Sequence, residues 1–145
     1  MSLGRPVLYV PSAGRFDDCG TRVLVPWNAS REAARAVEEG LAFLREAKAA
    51  EVVTFDPDKV FPTGNIAPES DMRAYLNRHD VNARVVGLPS GGIDVGSAIL
   101  SRAADNGADL IVMGAYSHSR ARELVLGGAT RTLFKSMTVP TLMSH

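Results

Sequence analysis

The chain holds 145 residues, 46% of them hydrophobic and 22% charged, enough for one domain that buries roughly two thirds of the surface its unfolded form exposes without a disulfide or a metal. Sixteen Lys and Arg offset sixteen Asp and Glu, which argues against a surface built to neutralise nucleic-acid phosphates. No apolar run approaches the roughly 20 residues of a membrane helix, and the opening MSLGRPVLYVP has neither the apolar core nor the cleavage site of a secretory signal. Cys19 stands alone, and no Cys/His set has metal-ligand spacing. These features predict a soluble, cytoplasmic protein with no nucleic-acid, membrane or metal partner, in which Cys19 is a bystander thiol.

Residues 1–20 read as a lead-in: Met1-Ser2-Leu3 as a vector-derived scar, Arg5 to Val10 (RPVLYV) as a strand with no helix after it, and then a linker. Residues 21–145 read as the domain. Arg22 to Trp27 (RVLVPW) is its first strand, and Ser30 to Lys48 a helix with Ala33, Val37, Leu41 and Leu44 on one face and Ser30 as N-cap. Glu51 to Phe55 (EVVTF) is the second strand. Asp56 to Ala67, with Pro57, Pro62 and Gly64, is a long loop and the segment expected to move most. Next come a helix from Pro68 to Arg78, a third strand from Val81 to Val86, and a helix from Ile93 to Asn106 that Gly107 ends. Asp109 to Met113 (DLIVM) is the fourth strand, Leu126 to Ser136 the last helix, and Val139 to Met143 (VPTLM) the fifth strand. Short, nearly continuous apolar strands alternating with helices predict right-handed crossovers and a parallel sheet covered on both faces.

The orphan strand has a counterpart at the other end of the chain. Aligning RPVLYV with VPTLMS sets Pro6 on Pro140, Val7 on Thr141, Leu8 on Leu142, Tyr9 on Met143 and Val10 on Ser144. The opening therefore reads as the last strand of a preceding copy, as in a tandem protein cut inside its first repeat.

In a doubly wound sheet, ligands bind beyond the carboxyl ends of the strands where the strand order reverses. Two segments compete for that place: Pro26-Trp27-Asn28-Ala29-Ser30 after the first strand, and Gly114 to Arg120 after the fourth, leading to Gly127-Gly128-Ala129-Thr130 at the start of the last helix. A glycine loop feeding a helix start offers free N–H groups and a positive dipole end, which suits phosphate. From Arg22 to Ser144 the order RVLVPWNAS, VVGLP and GADLIVMGAYSHSRARELVLGGATRTLFKSMTVPTLM resembles the universal stress protein superfamily. The resemblance implies an open, doubly wound parallel sheet of five strands in the order 3-2-1-4-5, of the adenine nucleotide alpha hydrolase-like kind, here with an extra N-terminal strand. It also implies ATP binding in some members and dimerisation through the last strand.

The family's phosphate motif is Gly, two residues, Gly, nine residues, Gly, then Ser or Thr. Gly114 and Gly127 match it; Ser117 stands at the second Gly, Gly128 at the Ser or Thr, and Asn28 at an Asp that follows the first strand in ATP-binding relatives. Phe55 falls near the adenine place. If the family Gly has positive φ, Ser117 costs about 1 kcal/mol of strain, and a lost hydroxyl at Gly128 costs about 1 kcal/mol more. Together they weaken binding roughly tenfold to a few hundredfold. Thr130, Ser119 and a locally basic surface of Arg120, Arg122, Arg131 and Lys135 offer compensation. Each residue also has a plainer reading: Gly127-Gly128 as close packing of a helix on the sheet, the arginines as a solvated loop face, and Trp27 as a lid or packing residue in place of a base-stacking one.

His118 has the pKa range for acid–base work, yet no carboxylate or nucleophile is pinned beside it, and Asp56 is the lone acid near a strand end that could face a Mg²⁺ ion. The sequence therefore predicts a non-catalytic stress-response or signalling module, with a slow ATPase or phosphotransferase as a third reading that lacks a positioned base. The module binds ATP or another adenine nucleotide weakly, or has lost its ligand and serves as a pairing unit. Its expected partner is a second copy, through Val139 to Met143 with Arg5 to Val10 added beside such a strand.

Overall fold

The structure, a computed structural model, describes residues 4–61, 68–115 and 128–144. Its strands are β1 (Val7–Tyr9), β2 (Arg22–Pro26), β3 (Ala49–Phe55), β4 (Arg84–Leu88), β5 (Leu110–Gly114) and β6 (Thr141–Ser144). They form one sheet in the order β1-β6-β5-β2-β3-β4. All pairs are parallel except β1 with β6, so the five-strand order expected of the domain is present and the orphan strand is added at its edge.

The helices are α1 (Arg31–Glu39), α2 (Leu41–Glu46), α3 (Pro57–Val60), α4 (Pro68–Arg78), α5 (Val95–Asn106) and α6 (Gly128–Ser136). Alternation along each strand sends side chains to opposite faces. Val23, Val25, Val52, Leu110, Val112 and Leu142 pack with Ala36, Val37, Leu41, Leu44 and Leu76 of α1, α2 and α4. Leu24, Val53, Ile111, Met113 and Met143 pack on the other face with Ala98, Ile99, Ala103, Ala129 and Leu133 of α5 and α6.

Several boundaries depart from the sequence reading: β3 starts at Ala49 in place of Glu51, β4 runs to Leu88 in place of Val86, α5 starts at Val95 in place of Ile93, and β6 spans Thr141–Ser144 in place of Val139 to Met143. The helix expected from Ser30 to Lys48 is broken at Gly40, where a Cβ would lie 2.8 Å from Val112 Cγ1 and 3.0 Å from the Ala36 carbonyl oxygen; the missing side chain lets the chain close on β5. The third strand begins at Arg84, not Val81, because Val81 closes α4: Asp80 takes a left-handed conformation (φ 59°), and the Val81 N–H donates to Leu76 O at 2.9 Å. This is the Schellman arrangement, with Val81 buried as its hydrophobic contact. The loop expected from Asp56 starts with the single turn of α3, while residues 62–67 lie outside the described residues. The last helix begins in the described residues at Gly128; 126 and 127 lie outside them.

Two polar devices lock the amino-terminal edge of the sheet. Asp109 accepts N–H bonds from Gly20 (3.2 Å), Thr21 (3.1 Å) and Arg22 (2.8 Å), which ties the start of β2 to the start of β5. Glu51, inside the α5 face, accepts Arg102 Nε at 2.7 Å and an Arg102 terminal nitrogen at 2.8 Å, and Asn106 Nδ2 at 3.1 Å. Strand β1 runs antiparallel to β6 with Leu8 opposite Leu142. Its Tyr9 ring meets Phe134 edge-on at 4.6 Å, and Arg35 bonds Gly4 O at 2.9 Å.

Candidate functional site

The sheet opens where its order reverses. Strand β2 pairs with β3 up to Pro26–Val53, and β5 pairs with β6 up to Gly114–Ser144, yet β2 and β5 are partners only at Val23–Leu110 and Leu24–Ile111. The cause is in the sequence. Trp27 donates its N–H to Val53 O at 2.8 Å, so the amide one residue earlier faces the opposite neighbour, β5, and at that position Pro26 has no N–H to give. The two strands therefore part at their carboxyl ends, at the topological switch point.

The loop leaving β2 is built rigidly. Asn28 Oδ1 accepts the Ser30 N–H at 3.1 Å, and Ser30 Oγ caps α1 by accepting the Ala33 N–H at 3.1 Å. Between them Ala29 is held left-handed at φ 58°, a conformation that costs an L-residue about 1 kcal/mol. Nothing in Asn-Ala-Ser signals this strain beforehand. Asn28 thus uses its side-chain oxygen on its own turn.

Gly114, at the end of β5, faces the first turn of α1. A Cβ there would lie 2.4 Å from Ala33 N and 2.4 Å from the Glu32 carbonyl carbon, so glycine at this place is required by backbone packing. Its neighbour in the sheet is Ser144, whose buried Oγ has no hydrogen-bond partner among the described residues. Gly128 differs from Gly114: among the described residues a Cβ would meet nothing within 4 Å, so no close approach among them explains this glycine. Ser117 and Gly127 lie outside the described residues, as do His118, Arg120 and Arg122.

The other expected site residues divide between the two faces. Trp27 is half-buried against the α1/α4 core, whereas Phe55 sits in the α5/α6 core at 9% exposure. Ala129 and Thr130 are buried in the first turn of α6. Asp56 works as a clamp: its N–H donates to Leu88 O at 2.8 Å, and its Oδ1 accepts the Ser90 N–H at 3.0 Å. Those bonds from Ser90, with the charge of Lys59, hold its carboxyl below the ordinary range. Burial, and then the Asp109 carboxylate, push the Cys19 thiol up, which keeps it protonated and slow to react. Among the described residues no group of three or more His, Cys, Asp or Glu is placed to hold a metal, and no helix is long and apolar enough to cross a membrane.

Residues 21–145 match the universal stress protein family. The chain belongs to the universal stress protein family. A relative in Synechocystis sp., universal stress protein Slr1230, is 42% identical over 45 residues, 31% of this chain, and that stretch spans only 16% of the relative. Among solved structures, a universal stress protein from Archaeoglobus fulgidus superposes with a TM-score of 0.74 at 18% identity, over 96% of this chain and 49% of that one. The hypothetical protein MJ0577 gives 0.68 at 20% identity, over 88% and 96%. A universal stress protein in complex with cAMP gives 0.62 at 21%, over 88% and 98%. At these identities the likeness is one of fold.

One residue important to this edge was not singled out by the sequence. Gly96 lies in the first turn of α5, directly against α6. A glycine just inside a helix, where propensity disfavours it, was the available signal.

Proposed function

We propose that this universal stress protein domain is a non-catalytic, cytoplasmic stress-response module that binds an adenine nucleotide, ATP among them, in the opening between the carboxyl ends of β2 and β5. The observation that carries the reading is the parting of those strands at Pro26, at the switch point where such sheets take ligands. The cAMP complex of a fold relative supports the ligand class. In this reading the Asn28 turn and Trp27 border the nucleoside end. The N–H groups of Gly128, Ala129 and Thr130 at the start of α6 face the phosphates.

The departures at Asn28, Ser117 and Gly128 make the affinity low. Among the described residues nothing crowds the place of a Gly128 side chain, so Ser117→Gly combined with Gly128→Ser is expected to tighten ATP binding at least about tenfold. Calorimetric titration of the double variant checks it. No gain over wild type would mean that the loop is not a weakened phosphate site, and would favour the alternative of a ligand-free pairing domain.

The domain also reports through self-association in this reading, as a homodimer through the sheet edge built from β6 with β1 laid outside it. Leu8 faces Leu142 in the pairing and matches Leu142 in the alignment, so β1 occupies the place that a second β6 would take in a two-fold antiparallel pair. That equivalence, with the 96% to 49% overlap on a longer relative, supports β1 as the counterpart of a preceding repeat's last strand. Deleting residues 1–12 removes the Tyr9–Phe134 contact and the β1 ladder, about 2 kcal/mol, and bares the β6 edge. The expected result is a fall in Tm of roughly 4–8 °C, with association through β6 that grows with concentration. Unchanged Tm and unchanged mass by light scattering would make β1 a passive tail.

A further inference from the structure

Strand β1 ends the sheet, and among the described residues no strand lies beyond it. Which of its backbone groups face outward follows from the pairing on its inner side. The Ile111 N–H donates to Pro140 O and the Ala115 N–H to Ser144 O, each at 2.9 Å. In the Ile111–Thr141 register, Leu142 and Ser144 therefore turn their backbone groups toward β5, and Thr141 and Met143 turn theirs toward β1. The partners of Thr141 and Met143 are Tyr9 and Val7. The N–H and C=O of Leu8, between them, point outward, and by the same alternation so do those of Val10 and the carbonyl of Pro6.

Two prolines fix the length of this edge. Pro6 stands where an N–H would face outward, so it takes nothing from the inner ladder. Pro11 has no N–H to offer the Val139 carbonyl, which accepts the Thr141 hydroxyl at 3.1 Å instead, and it holds Val10 extended. Leu8, opposite Leu142, shares the α1 side of the sheet with it, and Leu8 and Val10 are 45% and 56% exposed. The outward backbone groups and the exposed apolar side chains thus belong to the same two residues. Edges kept single carry a charge or a proline within the strand; none stands between Val7 and Val10.

We propose that this edge docks a second copy of the chain: β1 pairs antiparallel with the β1 of a partner about a two-fold axis at Tyr9, each Leu8 opposite the partner's Val10, and the two sheets become one. The proposal rests on the self-association reading above. The edge is self-complementary in this register, because Leu8 and Val10 each donate one N–H and accept another, and every outward N–H of the strand is used. Leu8 and the partner's Val10 then pack side by side on the α1 side of the joined sheet. An axis at Leu8 would instead set Val10 against Pro6, whose missing N–H leaves a carbonyl unpaired.

The test follows mass by light scattering across a concentration series for wild type, for Leu8→Lys with Val10→Lys, and for Leu8→Lys with Val10→Asp. Both side chains are exposed and neither residue gives a backbone group to β6, so all three proteins are expected to melt alike when dilute. Wild type is expected to climb from the mass of one chain to that of two. The first variant sets like charges opposite each other across the axis and is expected to weaken the dimer at least about tenfold. The second sets opposite charges there and is expected to return to within about threefold of wild type, with a dimer that weakens as salt is added. A dimer unmoved by Leu8→Lys with Val10→Lys overturns the inference and leaves self-association standing through another surface. Failure of the second variant to recover overturns the register, and the inference with it. Wild type that keeps the mass of one chain throughout overturns the self-association reading itself.

Discussion

Gly114→Ala is expected to destabilise the domain by about 3 kcal/mol, a fall in Tm of roughly 6–12 °C for a chain of this size. The added carbon would lie 2.4 Å from both Ala33 N and the Glu32 carbonyl carbon. Backbone atoms at that distance cannot turn away as a side-chain tip does. Either β5 retreats or the first turn of α1 lifts off the sheet, and the second movement opens the Ser30 cap that starts the helix. The same displacement carries the Asn28 turn with it, so ATP binding is expected to fall along with stability. The first glycine of the phosphate motif thus has a packing duty that is independent of any ligand. Thermal unfolding checks it, and an alanine variant with wild-type Tm would contradict the close approach of α1 to β5.

Arg102→Ala carries the second large effect. Glu51 is buried at 6% exposure beneath α5, and its two carboxylate oxygens are met by two Arg102 nitrogens. Removing one partner of such a pair leaves a buried charge without its counter-ion, at a cost of about 3 kcal/mol, or roughly 6–12 °C in Tm. The dependence on pH gives the sign. In the wild type, burial pushes the Glu51 carboxyl up, but hydrogen bonds from Arg102 and Asn106 and the charges of Arg102 and Arg84 outweigh it and hold the carboxyl below its ordinary range. That contribution is present above the unfolded carboxylate pKa and is lost as pH falls through the lowered native value. Without Arg102 burial is expected to dominate and raise the native carboxyl, so the variant's penalty is full at high pH and fades as pH falls through that raised value toward about 4.3, where the unfolded carboxyl also takes its proton. The expected result is a gap between variant and wild type that narrows from pH 7 toward pH 4 and below. A gap independent of pH would mean that Arg102 acts through packing alone.

The strand order and the two-faced core were legible because β-branched runs alternate with helical patterns and because the segment from Asp109 to Met143 carries family-specific spacing. What sequence could not supply was the cost of approach between backbones. Gly40, Gly96 and Gly114 look alike in a string of letters. In the structure Gly40 breaks a helix against Val112, Gly96 seats α6, and Gly114 admits α1. Gly128, read with Gly127 as a close-packing pair, meets nothing within 4 Å among the described residues. The third strand was placed early because Val81 reads as a strand residue, whereas the left-handed Asp80 before it makes it the closing contact of α4. Pro26 shows the reverse case: a proline in a central strand is an anomaly visible in the sequence, and the unpaired ends of β2 and β5 are its consequence.

The most direct measurement is an ATP titration of the uniformly ¹⁵N-labelled wild-type domain, followed by backbone amide shifts and by calorimetry. The account predicts saturable binding, with the largest shifts at Asn28 to Ser30, at Gly114 and Ala115, and at Gly128 to Thr130, and with little change at the Asp109 and Glu51 locks. ATP at 100 times its Kd is expected to add about 2.7 kcal/mol of stability. No saturable binding up to millimolar ATP, or shifts gathered away from the carboxyl ends of β2 and β5, would contradict it.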